Sequence, residues 1–89
     1  MLHTVSSSNL DVDLINANDA ILFWQDGVIL ALENNQKLIT ILTKTSKCYA
    51  LDNDILARGL TPMIDKRIAI INMEQVIALT QHYYPQMKW

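Results

Sequence analysis

One cysteine, two glycines and two prolines among 89 residues exclude several classes of protein at once. A single thiol forms no intramolecular disulfide and supplies no cysteine-rich metal site, and its scarcity fits a reducing compartment. So little glycine and proline leaves no Pro-rich linker and no low-complexity tail. Neither a phosphate-binding loop pattern nor a dinucleotide-binding glycine fingerprint occurs, and no uninterrupted apolar run reaches the roughly 18 residues that a membrane span requires. The start, "MLHTVSSSN", has no basic segment followed by a long apolar run and so does not read as a signal or transit peptide. The expected location is cytoplasmic. A net charge of -2 gives no general attraction to nucleic acid. Lys44, Lys47, Arg58, Lys66, Arg67 and Lys88 are scattered and form no continuous stripe.

Apolar residues, by contrast, are plentiful. They make up 51% of the chain against 18% charged, although a domain of this size buries only about 60 to 65% of its unfolded surface. Some of the excess is expected to cover a partner. Residues 1–89 leave room for a single domain.

Along the chain, "MLHTV" reads as a buried first strand. "LDVDLINAND" alternates like a strand but also places Leu10, Leu14 and Ala17 on one helical face. A short helix capped by Ser8 or Asn9 and ended by Asn18-Asp19 is the preferred reading. The compact apolar run Ala20 to Trp24 suits a central strand covered on both faces. Asp26-Gly27 follows it, and "VILAL" then begins a packing helix, unless the Asp-Gly pair turns a hairpin. "KLITIL" fits either a helical turn or an edge strand. "KCYAL" is a third strand and "RIAII" a fourth. Between them, Asp52 or Asp54 can receive the open amides of a helix start and Gly59 can close that helix in the left-handed region. Asn72 and Gln75 form a capping-box pattern, with Val76, Ile77 and Thr80 continuing the helical face and Pro85 as a stop. Repeated strand-to-helix passages imply an α/β layered structure. Right-handed crossovers in such a structure put Asp26, Asp52 and Asn72 near the carboxyl ends of strands, where α/β folds both bind ligands and need helix caps.

Each group able to do chemistry has a structural reading beside the functional one, and the structural one is stronger in every case. Asp52 and Asp54, two positions apart in a turn, do not straddle a reacting bond as paired acid/base carboxylates must. Cys48 lies inside a strand, where a free thiol behaves as a small hydrophobe, and a reactive thiol needs exposure and a stabilised thiolate. His3 sits in the first strand with no nucleophile nearby, and His82 suits packing or capping at a helix end. Two histidines and one cysteine make no zinc spacing, so neither a metal nor a cofactor is expected. The end, "HYYPQMKW", is rich in contact area. Tyr83 and Tyr84 fit either the core or an interface, whereas Met87 and Trp89 after Pro85 are expected to meet a partner.

The ordered set "MLHT", "LFWQDGV", "YALDNDILARGL" and "QMKW" resembles the TusB/DsrH family of sulfur-relay subunits, most closely the TusB-like branch. The resemblance implies a compact three-layer α/β/α, DsrEFH-like fold with a mainly parallel sheet. It further implies a heterohexamer with TusC-like and TusD-like subunits, in relay contact with TusA-like and TusE-like carriers. Such assemblies pass persulfide sulfur toward 2-thiouridine at the wobble position of tRNA, and the principal reactive cysteine belongs to the TusD-like subunit. DsrH-like relatives can carry a cysteine in the early helical region; here "SSSNLDVDLINAND" has none. His3, Asp26, Gly27, Asp52, Arg58, Gly59, Met87 and Trp89 fall in the matching motifs and are carried over as scaffold or assembly residues, with no catalytic role.

Three functions are thereby set against one another. The leading one is a noncatalytic relay subunit. The second makes Cys48 a sulfur carrier. The third, which charge disfavours, binds tRNA directly through Arg58, Lys66 and Arg67 with the terminal aromatics.

Overall fold

A computed structural model describes all residues 1–89. Five strands form one sheet: β1 (Leu2–Val5), β2 (Ala20–Phe23), β3 (Cys48–Leu51), β4 (Ala69–Ile71) and β5 (Gln86–Lys88). Their order is β4-β3-β2-β1-β5, and every neighbouring pair is parallel. The expected mainly parallel sheet is therefore parallel throughout. Helices α1 (Gln36–Lys44), α2 (Asp52–Ala57) and α3 (Met73–His82) complete an α/β/α sandwich, together with 3-10 segments at Val12–Leu14, Gln25–Ala31 and Thr61–Met63.

Side chains alternate across a strand, and the alternation divides the core in two. Val5, Ile21, Phe23, Cys48 and Ala50 face one side, where they meet Leu38 and Ile41 of α1 and Ile55 of α2. Leu2, Ala20, Leu22, Leu51 and Ile71 face the other, where they meet only Val76 and Leu79 of α3. β2 is the central strand and is buried at all four positions, as its unbroken apolar run anticipates.

Several connections differ from expectation. "LDVDLINAND" supplies one 3-10 turn, capped by the Asp11 side chain rather than by Ser8 or Asn9. The Asp-Gly pair makes no hairpin and lies inside the 3-10 segment Gln25–Ala31. "KLITIL" is helical, because Asn35 accepts from the amides of Lys37 and Leu38 and opens α1. α2 starts at Leu51 without a side-chain cap; Asp52 accepts from the next amide, Asn53, at 2.7 Å. The end of α2 is as expected. Gly59 has φ 65°, and the amides of Gly59 and Leu60 reach back to the carbonyls of Leu56 and Ile55, the paired bonds of a Schellman ending. In α3 the capping box of Asn72 and Gln75 is present; of the residues read as continuing one helical face, Val76 is buried and Ile77 is 53% exposed.

The largest departure lies at the end of the chain. "QMK" is not a free tail but an edge strand paired with β1, setting Met87 beside His3 and Lys88 beside Thr4. Trp89 packs against the larger core, and its indole Nε1 donates to His3 Nδ1 at 3.1 Å. An indole nitrogen is donor-only, so His3 Nδ1 accepts and the ring proton sits on Nε2. That nitrogen donates to Asp19 Oδ2 at 2.8 Å. Asp19 also accepts from the amide of Asn16 and lies 3.3 Å from the ammonium of Met1. Burial alone would raise the Asp19 carboxyl; the bonds from Asn16, His3 and the ammonium outweigh it and hold the group below its ordinary value. His3, Asp19 and Trp89 thus form a buried seam that joins both chain ends to the sheet.

Gly27 secures a second seam. The Trp24 amide donates to the Val5 carbonyl, and the Gly27 amide to the Trp24 carbonyl. The turn therefore folds down onto the end of β1 so tightly that a Cβ on Gly27 would overlap the Val5 carbonyl oxygen and sit 2.6 Å from its carbon.

Two consequences are measurable by urea unfolding. Gly27→Ala must displace strand backbone and is expected to cost about 2 kcal/mol or more, whereas Gly59→Ala, with open space around it, costs only about 1 kcal/mol for the left-handed backbone; equal losses would contradict the Val5 contact. Because the folded Asp19 has the lower pKa, the unfolded chain binds more protons in acid, and the stabilisation is complete above the ordinary carboxylate range and fades as pH falls through the folded value. Asp19→Asn should therefore lose less stability than wild type between pH 5 and pH 3 (values of about these magnitudes bracket the range), and identical slopes would remove Asp19 from the acid response.

Candidate functional site

The loops at the carboxyl ends of β2 and β3 meet through charged groups. Arg58 Nη2 donates to Asp26 Oδ1 at 2.8 Å, and its Nη1 donates to the Asp54 carbonyl at 3.1 Å. Asp54 Oδ2 accepts from the amide of Gln25 at 2.7 Å. Gln25 has φ 51°, a left-handed backbone that non-glycine residues adopt rarely. The carboxylate of Asp54 therefore holds an unfavourable turn in place and does not cap its own helix as expected. Arg58 and Asp26 are both exposed, and such a pair contributes at most about 1 kcal/mol. Its effect is to hold the β2 loop against α2. Asp52 stays apart from this cluster at the first turn of α2.

The arginines proposed for a tRNA surface are engaged within the chain. Arg58 is held by Asp26 and Asp54. Arg67 binds both oxygens of Asp65, at 3.0 and 2.9 Å, and that contact holds the Asp65 carboxyl at about 2. Lys66 alone of the three has no ion-pair partner. Lys66 and Arg67 line one cleft together with the carboxylates of Glu33 and Asp65, and Arg58 is not part of that lining.

Cys48 lies in β3 with 2% exposure, and its thiol donates to the Thr45 carbonyl at 3.7 Å. Burial pushes the thiol up to about 12, so it is protonated at neutral pH and faces the core rather than an approaching carrier. No cluster of three or more His, Cys, Asp or Glu residues has the arrangement to hold a metal ion. No helix is long and apolar enough to cross a membrane.

What the fold leaves open is the face that carries α3. Five strands spaced about 4.8 Å apart span roughly 19 Å, while one helix covers only about 10 to 12 Å. A strip remains on each side. Beside β3 and β4 the strip is an apolar cleft of about 430 Å³ lined by Tyr49, Ile71, Ala78, Leu79 and Tyr83, with Gln75 and His82 at its edge. Beside β1 and β5 it is a polar cleft of about 330 Å³ lined by Thr4, Ser6, Trp24, Gln25, Gln86 and Lys88. On its outward side, α3 presents Met73 and Ile77 one turn apart, 46% and 53% exposed. Sequence reasoning missed both clefts, because each depends on how far one helix reaches across a sheet whose strand order is not local information.

The sequence matches the family described as "DsrH like protein" over residues 5–86. It is 35% identical to Protein TusB of Yersinia enterocolitica and 36% identical to Protein TusB of Escherichia coli K12, each alignment running over 95 positions and covering 100% of both chains. The four motif stretches are joined in pairs, "MLHT" with "QMKW" through the pairing of β1 and β5, and "LFWQDGV" with "YALDNDILARGL" through the contacts of Asp26 with Arg58 and of Gln25 with Asp54. On the family match, the full-length identity and the parallel α/β/α architecture together, the chain belongs to the TusB/DsrH family.

Proposed function

We propose that this chain is a noncatalytic subunit of a heterooligomeric sulfur relay that supports persulfide transfer for 2-thiouridine formation at the tRNA wobble position. Membership of the TusB/DsrH family supports the general role in sulfur relay and tRNA modification. The observation that carries the noncatalytic assignment is the state of Cys48, the only thiol in the chain: buried, hydrogen-bonded and protonated. Persulfide transfer requires a thiolate that a donor sulfur can reach. The transferring cysteine then belongs to a neighbour, a TusD-like subunit, with a TusC-like subunit completing the assembly and TusA-like and TusE-like carriers on either side of the transfer.

In that setting the chain acts by position. Holding a neighbour's persulfide in a fixed orientation and away from competing thiols accelerates transfer without any reacting group from this subunit. The underclad face is the surface suited to that work. Its apolar cleft and the Met73–Ile77 stripe offer contact area that an isolated chain leaves in water. Met87 and Trp89 serve differently, as parts of the sheet and core, so shortening "QMKW" would damage the fold as well as any interface.

Two substitutions test this reading in cells and in the purified complex. Cys48→Ala is expected to leave wobble thiolation within about twofold of wild type, since it removes no reacting group; loss of thiolation with the complex intact would make Cys48 the carrier and reject the proposal. Ile77→Glu should leave the unfolding midpoint of the isolated chain unchanged within about 0.5 kcal/mol, as for an ordinary surface substitution. It should also weaken recovery of two related small subunits by about tenfold or more, because it buries an unpaired charge in the contact. Unchanged recovery would exclude the α3 face from assembly.

A further inference from the structure

The apolar cleft beside β3 and β4 has the position, length and end groups of a seat for one further helix. On the sheet, α3 packs with Ala20 and Leu22 of the central strand β2. Helices lie side by side at about 8 to 10 Å, or about two strand spacings, so a neighbour of α3 runs over the edge strand β4. Tyr49 and Ile71 form the floor there, and Ala78, Leu79 and Tyr83 form the wall on the flank of α3. Tyr49 and Tyr83 pack against the smaller core, so the lining continues that core outward. Ala69 of β4 shares the face of Tyr49 by register. Both Ala69 and Ala78 are exposed, and small side chains at these two places let a second backbone come close. β3 has four residues, about 13 Å of strand, and a helix of about nine residues has the same length.

The two ends of the cleft differ in charge. Lys47 stands immediately before β3, with its ammonium 5.7 Å from the centre of the Tyr83 ring, and His82 lines the cleft at that end, in edge contact with Tyr83. Toward the other end, Glu74 lies in the first turn of α3 and Asp52 in the first turn of α2, directly after β3. None of these four groups forms an ion pair within the chain. A helix lying antiparallel to α3 places its amino end beside Lys47 and His82. Acidic residues in its first turn and basic residues in its last then suit both its own dipole and the charges around the cleft. We propose that the cleft receives a helix of about three turns from a neighbouring subunit, antiparallel to α3, apolar on one face, acidic at its amino end and basic at its carboxyl end. The inference rests on the sulfur-relay reading, which supplies the neighbour, and names the element that the neighbour contributes.

Gln75 and His82 line the cleft two turns apart on α3, so they report on both the seat and its polarity. The full chain is produced in its host with its partners, carrying the photoreactive residue benzoylphenylalanine in place of Gln75 or of His82. The purified complex is irradiated and the cross-links are mapped by mass spectrometry. The expected cross-links fall within one helical segment of a partner, three or four residues apart, and those from position 82 lie nearer the amino end of that segment than those from position 75. A second measurement uses the unlabelled chain. Lys47→Glu should lower recovery of the partner by about fivefold, the weight of a reversed, partly exposed charge pair, whereas Lys47→Arg should not. Both variants should unfold at the denaturant concentration of wild type, which separates a docking loss from a folding loss. Cross-links to a strand or loop, the reverse order from the two positions, or recovery indifferent to Lys47→Glu would overturn the proposal. Absence of cross-links while two related small subunits are still recovered would overturn it and leave the relay reading intact; recovery of no such subunits removes both.

Discussion

The position of β5 on the far side of β1 governs the rest of the molecule. From β1 to β4 the chain steps across the sheet in one direction, and right-handed crossovers then place every connection on the same face. To reach β5 the chain must reverse direction, so its crossover, α3, falls on the opposite face. Three connections crowd one side and a single helix serves the other. The asymmetry of the two cores follows directly, as do the open strips at the edges of α3. An apolar excess in so short a chain is consistent with this geometry, since the topology withholds the second helix that would otherwise cover the sheet.

The same topology explains which parts of the structure were legible in the sequence. Strands β1 to β4 are short apolar or β-branched runs bounded by turn residues; in β1, β2 and β3 burial on both faces writes itself into adjacent positions, whereas the edge strand β4 buries only Ile71 and is legible from its β-branched composition. The capping box of α3 and the glycine ending of α2 were visible because their hydrogen bonds are local. β5 was not. Gln86, Met87 and Lys88 carry no strand signal, and their conformation is imposed by pairing with a strand more than 80 residues earlier. The buried stripe of α3 was not legible for a related reason: it depends on where the helix lies on the sheet, which separates Val76 and Leu79, both buried, from Ile77.

Candidate site residues divide along the same line. Gly27 was noted as part of a motif, but its necessity arises from the Val5 carbonyl, a contact between separate strands. Arg58 and Asp26 are 32 positions apart, and Asp54 supports Gln25 rather than its own helix; only the crossover brings these loops together. Cys48 was correctly placed in a strand, while the face it occupies, and therefore the state of its thiol, follows from alternation in register with Ile21. A cysteine one position along would face α3 and stand beside the apolar cleft instead, in place of Tyr49.

Alternation also divides the roles within the motifs themselves. In "MLHT", His3 turns toward the larger core and binds Trp89, while its neighbour Thr4 turns toward the face of α3 and lines the polar cleft. In "QMKW", Met87 and Trp89 lie on the side of His3, and Lys88 lies on the side of Thr4. Consecutive residues of one motif therefore answer to different constraints: one set closes the fold at the chain ends, and the other lies on a surface that the fold leaves open. A substitution on the inward set acts through stability. One on the outward set acts at that surface while the sheet stays intact, so the two kinds of effect can be separated residue by residue within a stretch of four.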